Sequence, residues 1–161
     1  MKKLILTLMA GSLLILSSCT KEGPQGPQGP AGNANVIGEP QFTVSSWQES
    51  GGVWYATFSD DNITNDVVAN GAVEIYKEYS NGWTNLPDIN GITSTVYNFL
   101  DGGFTISILN SDGSLPAAPG TVTFRVVVIP SSVRKAHPNT NWKNYNETMA
   151  VMNESKVVTA K

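Results

Sequence analysis

Few side chains in this sequence have the type and spacing to do chemistry. His137 is its single histidine and Cys19 its single cysteine. A Ser-His-Asp triad would have to use His137, yet no Gly-x-Ser-x-Gly elbow accompanies it. Its setting, Arg134-Lys135-Ala136-His137-Pro138, reads as an exposed loop. A three-histidine zinc site is excluded by count. Carboxylate pairs can run glycoside hydrolysis, and Asp60 and Asp61 are adjacent, with Asp66 nearby. The stretch Asp60-Asp61-Asn62…Asn65-Asp66 is oxygen-rich enough to invite calcium, which takes about six to eight oxygen ligands. It departs from the EF-hand pattern, lacking both the glycine at the sixth position and the glutamate at the twelfth. The competing reading is that these acids are solvated turn residues. Trp47, Trp54, Trp83 and Trp142 offer a different chemistry, because an exposed indole stacks on sugar rings. Trp83, between Gly82 and Thr84 in a turn-rich stretch, is the candidate stacking residue; packing is the competing role for all four.

The elements around these residues begin with a leader. Met1-Lys2-Lys3 is a positively charged start, and Leu4 to Leu16 is apolar apart from Thr7, Gly11 and Ser12. That run suits a secretion signal over residues 1–18 better than a spanning helix, which needs about 20 residues. Leu16-Ser17-Ser18-Cys19 resembles the lipobox of bacterial lipoproteins: an aliphatic residue, two small ones, then the cysteine whose thiol is acylated. The resemblance implies cleavage before Cys19 and a membrane anchor of several acyl chains, palmitate among them; one chain alone anchors marginally. Thr20, rather than Asp, follows the cysteine, so no inner-membrane retention signal is present. Lys21-Glu22 resembles the surface-export signal of Bacteroidota lipoproteins. The expected residence is the outer membrane, extending to the cell surface.

Residues 19–35 join this anchor to the rest. Gly23-Pro24-Gln25, Gly26-Pro27-Gln28, Gly29-Pro30-Ala31 and Gly32-Asn33-Ala34 are consecutive Gly-X-Y triplets. Glycine at every third residue is what a collagen triple helix demands, because only hydrogen fits at its axis. One reading is a stiff polyproline II spacer of roughly 35 Å, at about 3.1 Å per residue. The other is a miniature triple helix that would make a homotrimer, given a neighbouring domain that holds three chains together.

From residue 36 to 153, period-two alternation predicts strands. Phe104, Ile106 and Ile108 alternate with Thr105 and Ser107. Val122, Phe124, Val126 and Val128 alternate with Thr123, Arg125 and Val127. Val73 and Ile75 oppose Glu74, and Gln41–Trp47, Val53–Ser59 and Thr95–Leu100 are further candidates. Gly51-Gly52 and Asp101-Gly102-Gly103 read as hairpin turns. The expected fold is mainly β, an antiparallel β-sandwich, Ig-like or related. Trp142, Tyr145, Met149 and Met152 fall on one face of a helix, which predicts one short C-terminal helix over 141–153, capped by Asn139 or Thr140 and packed on the sheet. Residues 154–161 form a tail.

The stretches Ile63-Thr64…Val67-Val68…Asn70-Gly71-Ala72-Val73-Glu74-Ile75-Tyr76, Thr121 to Pro130 and Asn144-Tyr145-Asn146-Glu147 resemble recurrent segments of Bacteroidota collagen-like lipoproteins. The likeness covers nearly the whole chain and implies architecture, with no catalytic residue to carry over. Composition excludes one partner class. The precursor has a formal charge of −3, and removing Lys2 and Lys3 makes it −5, which leaves no footprint for nucleic acid. The sequence therefore predicts a non-enzymatic, lipid-anchored surface protein without a cofactor, serving as a structural or protein-interaction module. The second expectation is a glycan-binding lipoprotein of a carbohydrate-uptake system.

Overall fold

A computed structural model of the chain describes residues 37–38 and 41–159, with side-chain surroundings from 41 to 154. The leader, Leu16, Ser17, Ser18, Cys19 and the Gly-X-Y triplets lie outside the described residues. The chain separates into two units, Met1–Pro30 and Ala31–Lys161, and the fold below is that of the second.

Among the described residues, ten strands form two antiparallel sheets, as the alternation predicts. They are β1 (Ile37–Gly38), β2 (Phe42–Val44), β3 (Gln48–Ser50), β4 (Val53–Ser59), β5 (Ala72–Tyr79), β6 (Gly82–Asn85), β7 (Asp88–Asn90), β8 (Thr93–Leu100), β9 (Gly103–Asn110) and β10 (Val122–Ile129). The first sheet runs β6-β5-β10, with β1 and β2 both paired to the remaining edge of β10. The second runs β3-β4-β9-β8-β7. Gly51-Gly52 and Asp101-Gly102 turn the β3–β4 and β8–β9 hairpins. Of the candidate strand 41–47 only Phe42–Val44 is strand, as β2 in the first sheet; the chain then crosses to the second sheet, where β3 begins at Gln48, beyond the expected end. Alternation reports which face is apolar but not which sheet a strand joins, so this crossing leaves no trace in the pattern.

The main core lies between the sheets. Val73, Ile75, Phe124, Val126 and Val128 from the first meet Ala56, Phe104 and Ile106 from the second. Two contacts stitch the sheets at their margins. The Tyr97 hydroxyl donates to Val73 O at 2.7 Å, and Lys77 Nζ lies 2.9 Å from Asp88 Oδ2.

Three helices are described: α1 (Asn65–Asn70), α2 (Ser131–Ala136) and α3 (Tyr145–Thr159). The sequence predicts only the last. Thr64 caps α1 by accepting from Val67 N–H, and Val67 enters the main core. α3 begins at Tyr145 rather than 141 because Asn144 caps it, its Oδ1 accepting from the N–H groups of Asn146 (3.0 Å) and Glu147 (3.3 Å). Its apolar stripe is packing: Tyr145, Met149, Val151 and Met152 join Tyr76, Val127, Ile129 and Val133 in a second core on the outer face of the first sheet. β10 is therefore enclosed on both faces, and Val126 to Ile129 are all buried.

Candidate functional site

The strands and the β4–α1 loop bring one group of functional side chains to an end of the sandwich. Phe58 shares the inward phase of β4 with Ala56, and Asp60, one residue past the strand's end, is buried in the same parity. Phe42 arrives on β2, Phe104 on β9 and Val126 on β10, and together with Ser59, Asp61 and Asn62 they line a cavity of about 380 Å³. The phenyl rings are mutually packed. Phe42 and Phe58 meet at 5.0 Å edge-on, Phe58 and Phe104 stack at 5.0 Å, and Phe42 and Phe104 are 6.0 Å apart. The close approach of β9 to β4 depends on Gly103, since a Cβ there would lie 2.3 Å from Phe58 O.

Asp60 is held rigidly beside these rings. Its N–H donates to Gly102 O at 2.9 Å, and its carbonyl accepts from Ile63 N–H at 3.1 Å. Its Oδ1 accepts from the Asn62 backbone and side-chain nitrogens, both at 3.0 Å. The residue is 9% exposed.

The three acids proposed for calcium are placed differently from one another. Asp60 is in the cavity wall and Asp61 is exposed at its rim. Asp66 lies on α1, where Asn70 Nδ2 donates to Oδ1 and Ser131 Oγ to Oδ2, both at 2.9 Å. These bonds hold the Asp66 carboxyl below its ordinary range and tie α1 to the start of α2. Among the described residues, no three His, Cys, Asp or Glu side chains are grouped so as to hold a metal ion.

All four tryptophans have partners within the domain. Trp47 Nε1 donates to Gly120 O (3.2 Å) and Trp54 Nε1 to Pro116 O (3.0 Å), fastening the 111–121 connection. Trp83, the candidate sugar platform, is half-buried. It stacks on Tyr145 at 5.6 Å, and the Arg125 guanidinium lies 5.0 Å from its ring centre. Arg125 also donates to the Tyr145 hydroxyl at 2.6 Å. Trp142 offers its carbonyl to the Tyr76 hydroxyl at 2.5 Å and to Thr148 Oγ1 at 2.9 Å. Burial here pushes the Tyr76 phenol far above its ordinary pKa. His137 ends α2, its N–H donating to Val133 O, and its ring meets Trp142 edge-on at 6.5 Å.

The outer face of the second sheet is a different kind of surface. Register and alternation turn Tyr55 and Thr57 of β4, Thr105 and Ser107 of β9, and Val96 and Asn98 of β8 away from the core. No outward position of this sheet holds Asp, Glu, Lys or Arg. Thr57 and Thr105 pair through their hydroxyls at 3.0 Å. Leu100 and Ile89 at its margin are 61% and 69% exposed, and Ile92 is 50% exposed.

The sequence missed the burial of Asp60. The signal was present, because Ala56, Phe58 and Asp60 share one parity, but adjacency to Asp61 made a solvated turn the simpler reading. No helix among the described residues is long and apolar enough to cross a membrane. No family model matches the chain, nor does any curated protein or solved structure.

Proposed function

We propose that the chain is a lipid-anchored, non-enzymatic envelope protein that works by contact, presenting the outer face of its second sheet to protein partners. The anchor follows from the lipobox-like Leu16-Ser17-Ser18-Cys19, and the Gly-X-Y triplets act as the spacer. The observation that carries the contact role is the uncharged outer face. The chain is acidic, so a partner approaching elsewhere meets charges that must be desolvated or matched. At this face it meets hydroxyls, valine, tyrosine and exposed leucine and isoleucine, which lose little on leaving water. The opposite side of the sandwich has its apolar face sealed by α2 and α3. The resemblance to Bacteroidota collagen-like lipoproteins points to the outer membrane as the place of work.

Two measurements in cells test this reading. An alkyne fatty acid should label the wild-type chain and leave Cys19→Ser unlabelled and released from membranes. A photo-crosslinking residue at position 96 should then give discrete protein adducts, while one at position 78, on the first sheet, should give none. Unlabelled wild-type protein would remove the anchor, and equal adducts at both positions would remove the assigned face.

A further inference from the structure

Asp60, in the wall of the end cavity, carries a buried polar atom without a partner among the described residues. Its Oδ1 has two donors, but Oδ2 is buried and accepts no hydrogen bond from those residues. A buried carboxylate oxygen left in that state is costly, and native structures supply it with a donor. The cavity wall specifies which donor fits. Among the described residues its charged side chains are Asp60 and Asp61, with no Lys, Arg or His, so an anionic ligand is repelled and a cation attracted. Its other wall is Phe42, Phe58, Phe104 and Val126. The ring faces attract cations and the whole wall takes an apolar body. The volume, about 380 Å³, falls within the range of small-molecule sites, about 300–1,000 Å³.

We propose that this cavity binds a primary alkylammonium group, whose N–H donates to Asp60 Oδ2 while its carbon chain lies against Phe42, Phe58 and Phe104. A neutral sugar brings donors without the charge, and a quaternary ammonium brings charge without an N–H donor. A primary ammonium on a carbon chain brings both. Two sources carry that chemistry, a free amine and the side chain of a lysine in another protein. The site is separate from the open sheet face and stands independently of the contact role.

Titration calorimetry on the mature chain with hexylammonium, hexyltrimethylammonium, hexanol and hexanoate tests the assignment. Hexylammonium should bind at least about tenfold more tightly than the other three, as a charge-assisted hydrogen bond implies. Asp60→Asn should lose about tenfold or more in hexylammonium affinity, and Asp61→Asn less. An amide-capped lysine peptide distinguishes the sources: binding as tight as hexylammonium points to a protein lysine, and weaker binding to a free amine. The proposal is overturned if hexylammonium gives no saturable heat, if hexanol binds equally well, or if a folded Asp60→Asn binds unchanged. Should Asp60→Asn fail to fold, amide shifts of Asn62 in the wild type decide. They should move with hexylammonium and stay fixed with hexanol, and stationary amides would overturn the site.

Discussion

Single charged residues set how this domain responds to acid, and two of them act in opposite directions. Asp88, on β7, reaches across to Lys77 on β5 and also accepts from the Tyr79 hydroxyl. Burial would raise its pKa, but the bonds from Tyr79 and Lys77 prevail and hold it below the ordinary carboxylate value. Its contribution to stability is therefore present above that ordinary value and is lost as pH falls through the depressed one. Glu74 lies half-buried on the helix-covered face, with one bond from Asn85 Nδ2 at 2.8 Å. Burial raises its pKa in spite of Asn85 and the positive Lys143 and Arg134. Its contribution is complete below the ordinary value and is lost as pH rises through the raised one. Asp88→Asn should thus cost about 1–3 kcal/mol at neutral pH, and Glu74→Gln should stabilise. Both differences from wild type should vanish in strong acid. Urea midpoints measured from pH 7 to 3 check this, and parallel curves across that range would contradict it.

At the scale of elements, the helix layer is latched to the first sheet by a small buried polar group. The Tyr76 hydroxyl donates to Trp142 O and lies 2.8 Å from Thr148 Oγ1, and both residues are fully buried. Tyr76→Phe removes the donor while keeping the ring against Tyr145, so it should cost about 1–2 kcal/mol. The loss should appear as faster amide exchange in α3 and leave the second sheet unchanged; equal loss in both sheets would contradict a local latch. The elements themselves were unevenly legible. Long strands such as β8 and β9 were plain, because one face of each meets the core and alternation records it; β10, enclosed on both faces, kept its alternation only at Thr123 and Arg125. α3 was visible through its stripe, but its start was not, since Asn144 competes for the cap with Asn139 and Thr140. α1 was hidden because six residues are too few to show a period; its cue was a capping threonine before Asn65-Asp66-Val67. Of the candidate site, the aromatic positions were readable as core, but their convergence on Asp60 required the pairing of β2, β4 and β9.

Across the described residues, the main asymmetry is that one sheet is enclosed on both faces and the other on one. The second sheet can stay uncovered because its outer positions are hydroxyl-rich and uncharged rather than strongly apolar. A single substitution such as Val96→Lys should leave stability within about 0.5 kcal/mol while abolishing crosslinks from that face, and a large drop in Tm would mean the position is structural. The junction of the two sheets is less tolerant. Gly103→Ala pushes a methyl group into Phe58 O, so it should cost about 1–3 kcal/mol, toward the upper end because the obstacle is backbone. Layering also sets an internal clock. The amides of β10, walled in by helices on one side and the opposing sheet on the other, and flanked by strands on both edges, should be the last to trade hydrogen for deuterium. Those of the three-residue strands β3 and β7 should be the first. A protease or a tug on the chain would then breach the molecule from its bare flank inward, with Val126 to Ile129 the final refuge of native order.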